Sequence, residues 1–101
     1  MESTLQGQLK SWRHHLHQRP ETGFEEVDTS DYVAGILRTL GLEVHRGIGG
    51  TGLVANLKVG DGQRAIGLRA DMDALNIAEC APGREHASRN AGKMHACGHD
   101  G

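Results

Sequence analysis

The sequence predicts an α/β chain in the order helix, helix, strands. Apolar residues recur every three to four positions as far as Gly41 and every second position after it. In the first helix Leu5, Leu9, Trp12 and Leu16 fall on one face. Ser3 and Gln6 have the spacing of a capping box, and Pro20 closes the helix by disfavouring helical geometry at Arg19. Thr22 and Glu25 form a second box, predicting a helix that starts there, carries Val33, Ile36, Leu37 and Leu40 as its stripe, and ends at Gly41. Leu42 and Val44 then alternate with Glu43 and His45, the glycine-rich run 47–52 reads as a loop, and Leu53, Ala55, Leu57 and Val59 alternate again. Beyond a tight turn at 60–63, the nearly uncharged run 65–70 is expected to be a third strand, the most buried of the three. From Asp71 onward the pattern dissolves into an irregular stretch containing Cys80, Pro82 and Gly83, of a length that is usually functional or disordered.

The chain has 101 residues and no linker, repeat or low-complexity tract, which predicts one continuous unit. With 3% aromatic residues and 15 glycines, its core has to come from Leu, Val, Ile and Ala, and is thin. Eleven basic against 13 acidic residues give a net charge of −2 and no basic run to collect phosphates, so nucleic acid is not expected as a partner. The apolar runs are a few residues long, far short of the ~20 that span a membrane, and the polar start has no secretion signal, so the expected location is cytoplasmic. Cys80 and Cys97 suit a thiol or a metal ligand better than a disulfide framework. The seven histidines are the one excess.

Four clusters carry candidate chemistry. Gly49-Gly50-Thr51-Gly52 lacks the Gly-Lys-Ser/Thr ending of a phosphate loop and reads as a hairpin connection. His14, His15 and His17 lie on a helix where only His14 and His17 can approach each other, and a lone i, i+3 pair favours a solvated or helix-capping role over a metal site. Asp71 and Asp73 fall at the end of the predicted buried strand, where they either point together at one cation or cap the next turn. In the heptad from His95 to Gly101, Cys97 and His99 offer a thiolate and an imidazole to a borderline-soft cation such as zinc, and Asp100 is a carboxylate able to orient an imidazole.

Five segments, in order, resemble the N-terminal part of the metal-dependent amidohydrolases, the family of hippurate hydrolase, N-acyl amino acid amidohydrolases and auxin-conjugate hydrolases, relatives of aminoacylase and carboxypeptidase G. They are Arg13-His14-His15-Leu16-His17, Pro20-Glu21-Thr22-Gly23-Phe24-Glu25-Glu26, the run from Gly47 to Gly52, the run from Gly67 to Leu75, and the run from Gly92 to Gly101. The resemblance implies a metallopeptidase-like α/β catalytic domain with both helices on a mixed sheet, of which residues 1–101 are an incomplete first segment without the lid and dimerisation domain. It implies hydrolysis of the amide bond of a small-molecule N-acyl amino acid at two divalent metal ions, Zn²⁺ or Mn²⁺, in relatives that are often oligomeric.

It further implies that Cys97 and His99 are metal ligands and that Asp73 is a carboxylate beside the metals. Distant relatives carry a His-x-Asp pattern here, from which Asp71 departs, leaving Asp71 and Asp100 as ligands or supporting carboxylates. The family's catalytic base, one of two adjacent glutamates, lies beyond the Cys-Gly-His motif, so this chain alone is expected to bind metal weakly and hydrolyse little. The alternatives are a non-catalytic metal-binding fragment that needs a partner chain, and an inactive truncated product.

Overall fold

The computed structural model describes residues 2–80 and 83–99, with side chains from Thr4 onward. Helix α1 (Glu2–Gln18) and helix α2 (Val27–Thr39) are followed by strands β1 (Glu43–Ile48) and β2 (Gly52–Asn56). The helix starts differ from the capping-box readings. Helix α1 already includes Ser3, whose side chain lies outside the described residues. Thr22 and Glu25 do bond, Oγ1 to Oε2 at 2.9 Å and backbone N–H to carbonyl at 2.9 Å, but they close a turn ahead of α2. Phe24 sits there at φ 64, a left-handed conformation that prevents helical continuation.

The carboxylate of Glu21 takes over at the start of α2. It accepts the backbone N–H of Asp28 (3.2 Å), the N–H of Thr29 (2.6 Å) and the Thr29 hydroxyl (2.6 Å). A negative charge on the unpaired N–H groups of a first turn satisfies donors and complements the helix dipole. At the other end Gly41 has φ 82 and the Leu42 N–H reaches back to the Leu37 carbonyl (3.2 Å), a glycine-terminated helix as the sequence predicts.

Strands β1 and β2 pair antiparallel, from Glu43 opposite Asn56 to Ile48 opposite Gly52, with a register shift between Arg46 and Ile48. The glycine run is thus a hairpin connection. Gly52 is required in it, because a Cβ there would lie 2.5 Å from the Ile48 carbonyl oxygen. Helix α2 lies against the hairpin, and Arg46 joins the two by bonding Ser30 Oγ (3.2 Å) and pairing with Asp31. Helix α1 packs mainly on the irregular segment after residue 70, so the expectation of both helices on the sheet holds only for α2.

The third strand does not form among the described residues. Residues 65–70 have no ladder partner, and Ile66 and Leu68 are 89% and 96% exposed. A run apolar on both sides becomes a buried strand only when neighbours pair its edges and cover its faces, and no described element does either. The fully apolar interior is correspondingly thin: Ala34 and Ala74, with Pro20 beside buried His17, Glu26, Thr29 and Ser30. This small core lies where the end of α1, the start of α2 and residues 70–75 meet.

Candidate functional site

Two isolated bridges build the site. Residues 74–75 run between two other segments, with Thr22 opposite Ala74 in parallel and Leu75 opposite Met94 antiparallel. Ala74 N–H bonds the Glu21 carbonyl (2.7 Å), and Leu75 and Met94 exchange bonds of 2.9 and 3.0 Å. Glu21 therefore holds α2 with its side chain and residue 74 with its backbone. These bridges set the segment Asp71–Asp73 beside the segment that begins at His95.

The result is a cavity of about 230 Å³ with Arg13, His17, Asp71, Asp73, His95 and His99 in its wall, alongside apolar Leu16, Ala70 and Met72. His99 Nε2 is 3.9 Å from Asp71 Oδ2, and Arg69 lies 2.5 Å from Asp71 Oδ1. Asp71 and Asp73 converge on the cavity without the strand from which the sequence argued their common face. Cys97 is exposed, carries a free thiol and is not in the cavity wall. Asp100 lies outside the described residues.

The carboxylates and imidazoles of the wall suit a divalent cation in kind, since both are ordinary ligands of one. In number they fall short: among the described residues no three His, Cys, Asp or Glu side chains are grouped so as to hold one ion.

Behind the cavity His17 and Glu79 form a buried pair, Nε2 to Oε1 at 2.9 Å, with side chains 5% and 6% exposed. Glu79 Oε2 accepts the Ser88 N–H at 2.6 Å, and this bond, followed by the one to His17, holds the Glu79 carboxyl below the usual glutamate range. Nothing local in the sequence marks Glu79, because its partner is on a different element 62 positions away. The α1 histidines make packing contacts: His14 stacks on His86 (centroids 3.8 Å), His17 meets the same ring edge-on (5.5 Å), and His15 stacks on Tyr32 (3.7 Å). Burial, then the nearby Arg19 guanidinium, lowers the His15 pKa.

Residues 67–101 match the model of peptidase family M20/M25/M40. Over 97 residues the chain is 48% identical to hippurate hydrolase of Campylobacter jejuni, covering 96% of this chain and 25% of that protein. Over 92 residues it is 46% identical to the N-acyl-L-amino acid amidohydrolase of Geobacillus stearothermophilus, covering 90% and 24%. Its fold superposes on Bacillus subtilis YxeP, described as a dinuclear metal binding peptidase from the M20 family, with a TM-score of 0.89 at 35% identity, covering 99% of this chain and 28% of that one. The chain spans about a quarter of the length of the curated relatives it matches. With a shared fold, a motif region that matches the peptidase family M20/M25/M40 and close to half of its residues in common with these hydrolases, the chain resembles the N-terminal part of proteins of that family.

Proposed function

We propose that this chain is the metal-site segment of an amidohydrolase acting on N-acyl amino acids, with Cys97 and His99 as ligands and Asp73 as a positioning carboxylate. The carrying observation is the approach of His99 to Asp71 at the wall of a cavity that also contains Asp73 and His95. The relatives named hippurate hydrolase and N-acyl-L-amino acid amidohydrolase support the substrate class, and the dinuclear neighbour supports two divalent ions, with Zn²⁺ or Mn²⁺ suited to these donors. When bound, such ions supply an acidified water and take up charge on the amide carbonyl oxygen.

The protein's own groups act around them. Asp71 places a carboxylate beside the His99 imidazole, where it can help to orient the ring. Arg13 places a cation in the cavity wall beside apolar Leu16 and Met72, a mixed lining of the kind that receives small molecules. Residues 1–101 act as the first segment of a catalytic domain, and with no three His, Cys, Asp or Glu donors grouped on one ion among the described residues the segment binds metal weakly and turns over little by itself.

The test is release of glycine from hippurate by the purified chain with added Zn²⁺ or Mn²⁺, alongside its metal content. Weak metal retention with little turnover is expected. Turnover comparable to full-length relatives overturns the incompleteness of the site, and metal content unchanged by Cys97→Ser overturns ligation by that thiolate.

A further inference from the structure

We propose that residues 83–90 are an acid-released latch on helix α1: they stay docked while the His86 imidazole is neutral and come away when it is protonated. The proposal stands independently of whether the cavity hydrolyses an amide. The latch has little apolar surface to hold it, since among its residues only His86, Ala87 and Ser88 are even half-buried. Its attachment is instead a set of polar contacts around stacked imidazoles. His86 lies parallel to His14 (3.8 Å, 6°) and edge-on to His17 (5.5 Å, 70°). Three bonds tie the same segment to the end of α1 and its exit: Gln18 Nε2 to the Glu85 carbonyl (3.2 Å), Arg89 N–H to the Gln18 carbonyl (2.8 Å), and Asn90 Nδ2 to the Pro20 carbonyl (2.8 Å).

The charges facing His86 are those that oppose a proton on it. Helix α1 contributes Arg13, His14 and His17, and the latch contributes Arg84. The opposing carboxylate is Glu79, already engaged by His17 (2.9 Å), the Ser88 N–H (2.6 Å) and, at 3.7 Å, Arg84. Burial first, and then these cations, lower the His86 pKa from its ordinary 6.5. The docked state therefore binds that proton less readily than the released state. Docking is at full strength above pH 6.5 and weakens as the pH falls below it, with Glu79 titrating only at a more acid pH than its ordinary 4.5.

The latch is coupled to the cavity. Ser88 Oγ donates to the Lys93 carbonyl (2.7 Å), and Lys93 N–H bonds the Asn90 carbonyl (3.1 Å), immediately ahead of Met94 and His95. Release of residues 83–90 thus removes one support of the segment that carries His95 and His99 to the cavity and leaves it held by the Leu75–Met94 bridge.

Amide hydrogen exchange of the 101-residue chain between pH 7 and 5, corrected for intrinsic exchange, reads the latch through the Arg89 and Ser88 N–H groups. The expected result is a loss of Arg89 protection of about fivefold or more across this range while the α2 amides keep theirs, and no such loss in His86→Phe, which stacks without titrating. Constant Arg89 protection, a loss shared with α2, or an equal loss in a folded His86→Phe overturns the proposal. If that variant does not fold, the His86 ring signal in the unaltered chain decides: a midpoint below 6.5 supports the latch, and one at or above 6.5 overturns it.

Discussion

His99 Nε2 stands 3.9 Å from Asp71 Oδ2, across the junction of two segments that share no strand or helix. That distance is too long for a direct hydrogen bond and short enough for the carboxylate to influence how the ring is oriented. Asp71→Asn should therefore leave the fold intact and weaken Zn²⁺ retention roughly tenfold, the range seen when a supporting carboxylate is removed from a metal-binding histidine. Calorimetric titration with Zn²⁺ measures it. His99→Ala should abolish that retention, whereas equal binding by both variants and the unaltered chain would place the ion elsewhere.

Glu21 supplies the cap that α2 lacks on its own N-cap residue, Glu26, whose side chain makes no capping bond. Glu21→Ala strips acceptors from the Asp28 and Thr29 N–H groups and from the buried Thr29 hydroxyl. The expected loss is about 1–2 kcal/mol, and roughly 4–8 °C of melting temperature for each kcal/mol in a domain of this size. Because the Glu21 carbonyl still receives the Ala74 N–H in this variant, the cavity-side bridge should survive. Circular dichroism melting curves test the first effect and amide exchange at Ala74 the second.

The His17–Glu79 pair has a pH signature with a defined sign. The Glu79 carboxyl is held below its ordinary 4.5, by the Ser88 N–H and then by His17, so the unfolded chain takes up this proton first as the pH falls. Its stabilising contribution is complete above that value and disappears as the pH drops through the lower folded pKa. Glu79→Gln should cost about 1–2 kcal/mol at pH 7 and flatten the acid limb of the stability profile below about pH 4.5. Urea unfolding at a series of pH values reads both. A profile of unchanged slope would show that Glu79 is not the group responsible.

Phe24 holds a left-handed backbone with an 83% exposed side chain. The conformation costs a non-glycine residue about 1–2 kcal/mol, against the roughly 0.5–1 kcal/mol that glycine loses in unfolded-state freedom. Phe24→Gly should accordingly stabilise the chain by about 0.5–1 kcal/mol, because so little of the ring is buried. A lower denaturation midpoint would mean that the ring has a packing role.

The two helices, the glycine hairpin and the stop at Gly41 were legible in the sequence because periodicity, capping and turn chemistry act over four residues or fewer. The same local rules misplaced the start of α2 by choosing the Thr22–Glu25 pair over a carboxylate reaching in from Glu21. They also promoted residues 65–70 to a buried strand, although burial depends on what covers a strand rather than on its own composition. The residue types of the candidate site, two aspartates and a Cys-Gly-His, could be named from the sequence and its family resemblance. That Asp71, Asp73, His95 and His99 share one cavity, and that His17 backs it through Glu79, was decided by the bridges at Ala74 and Leu75 and by long-range side-chain pairing. Local sequence determines which groups are available. Tertiary contacts between distant segments decide which of them meet, because those bonds depend on the packed position of both partners at once.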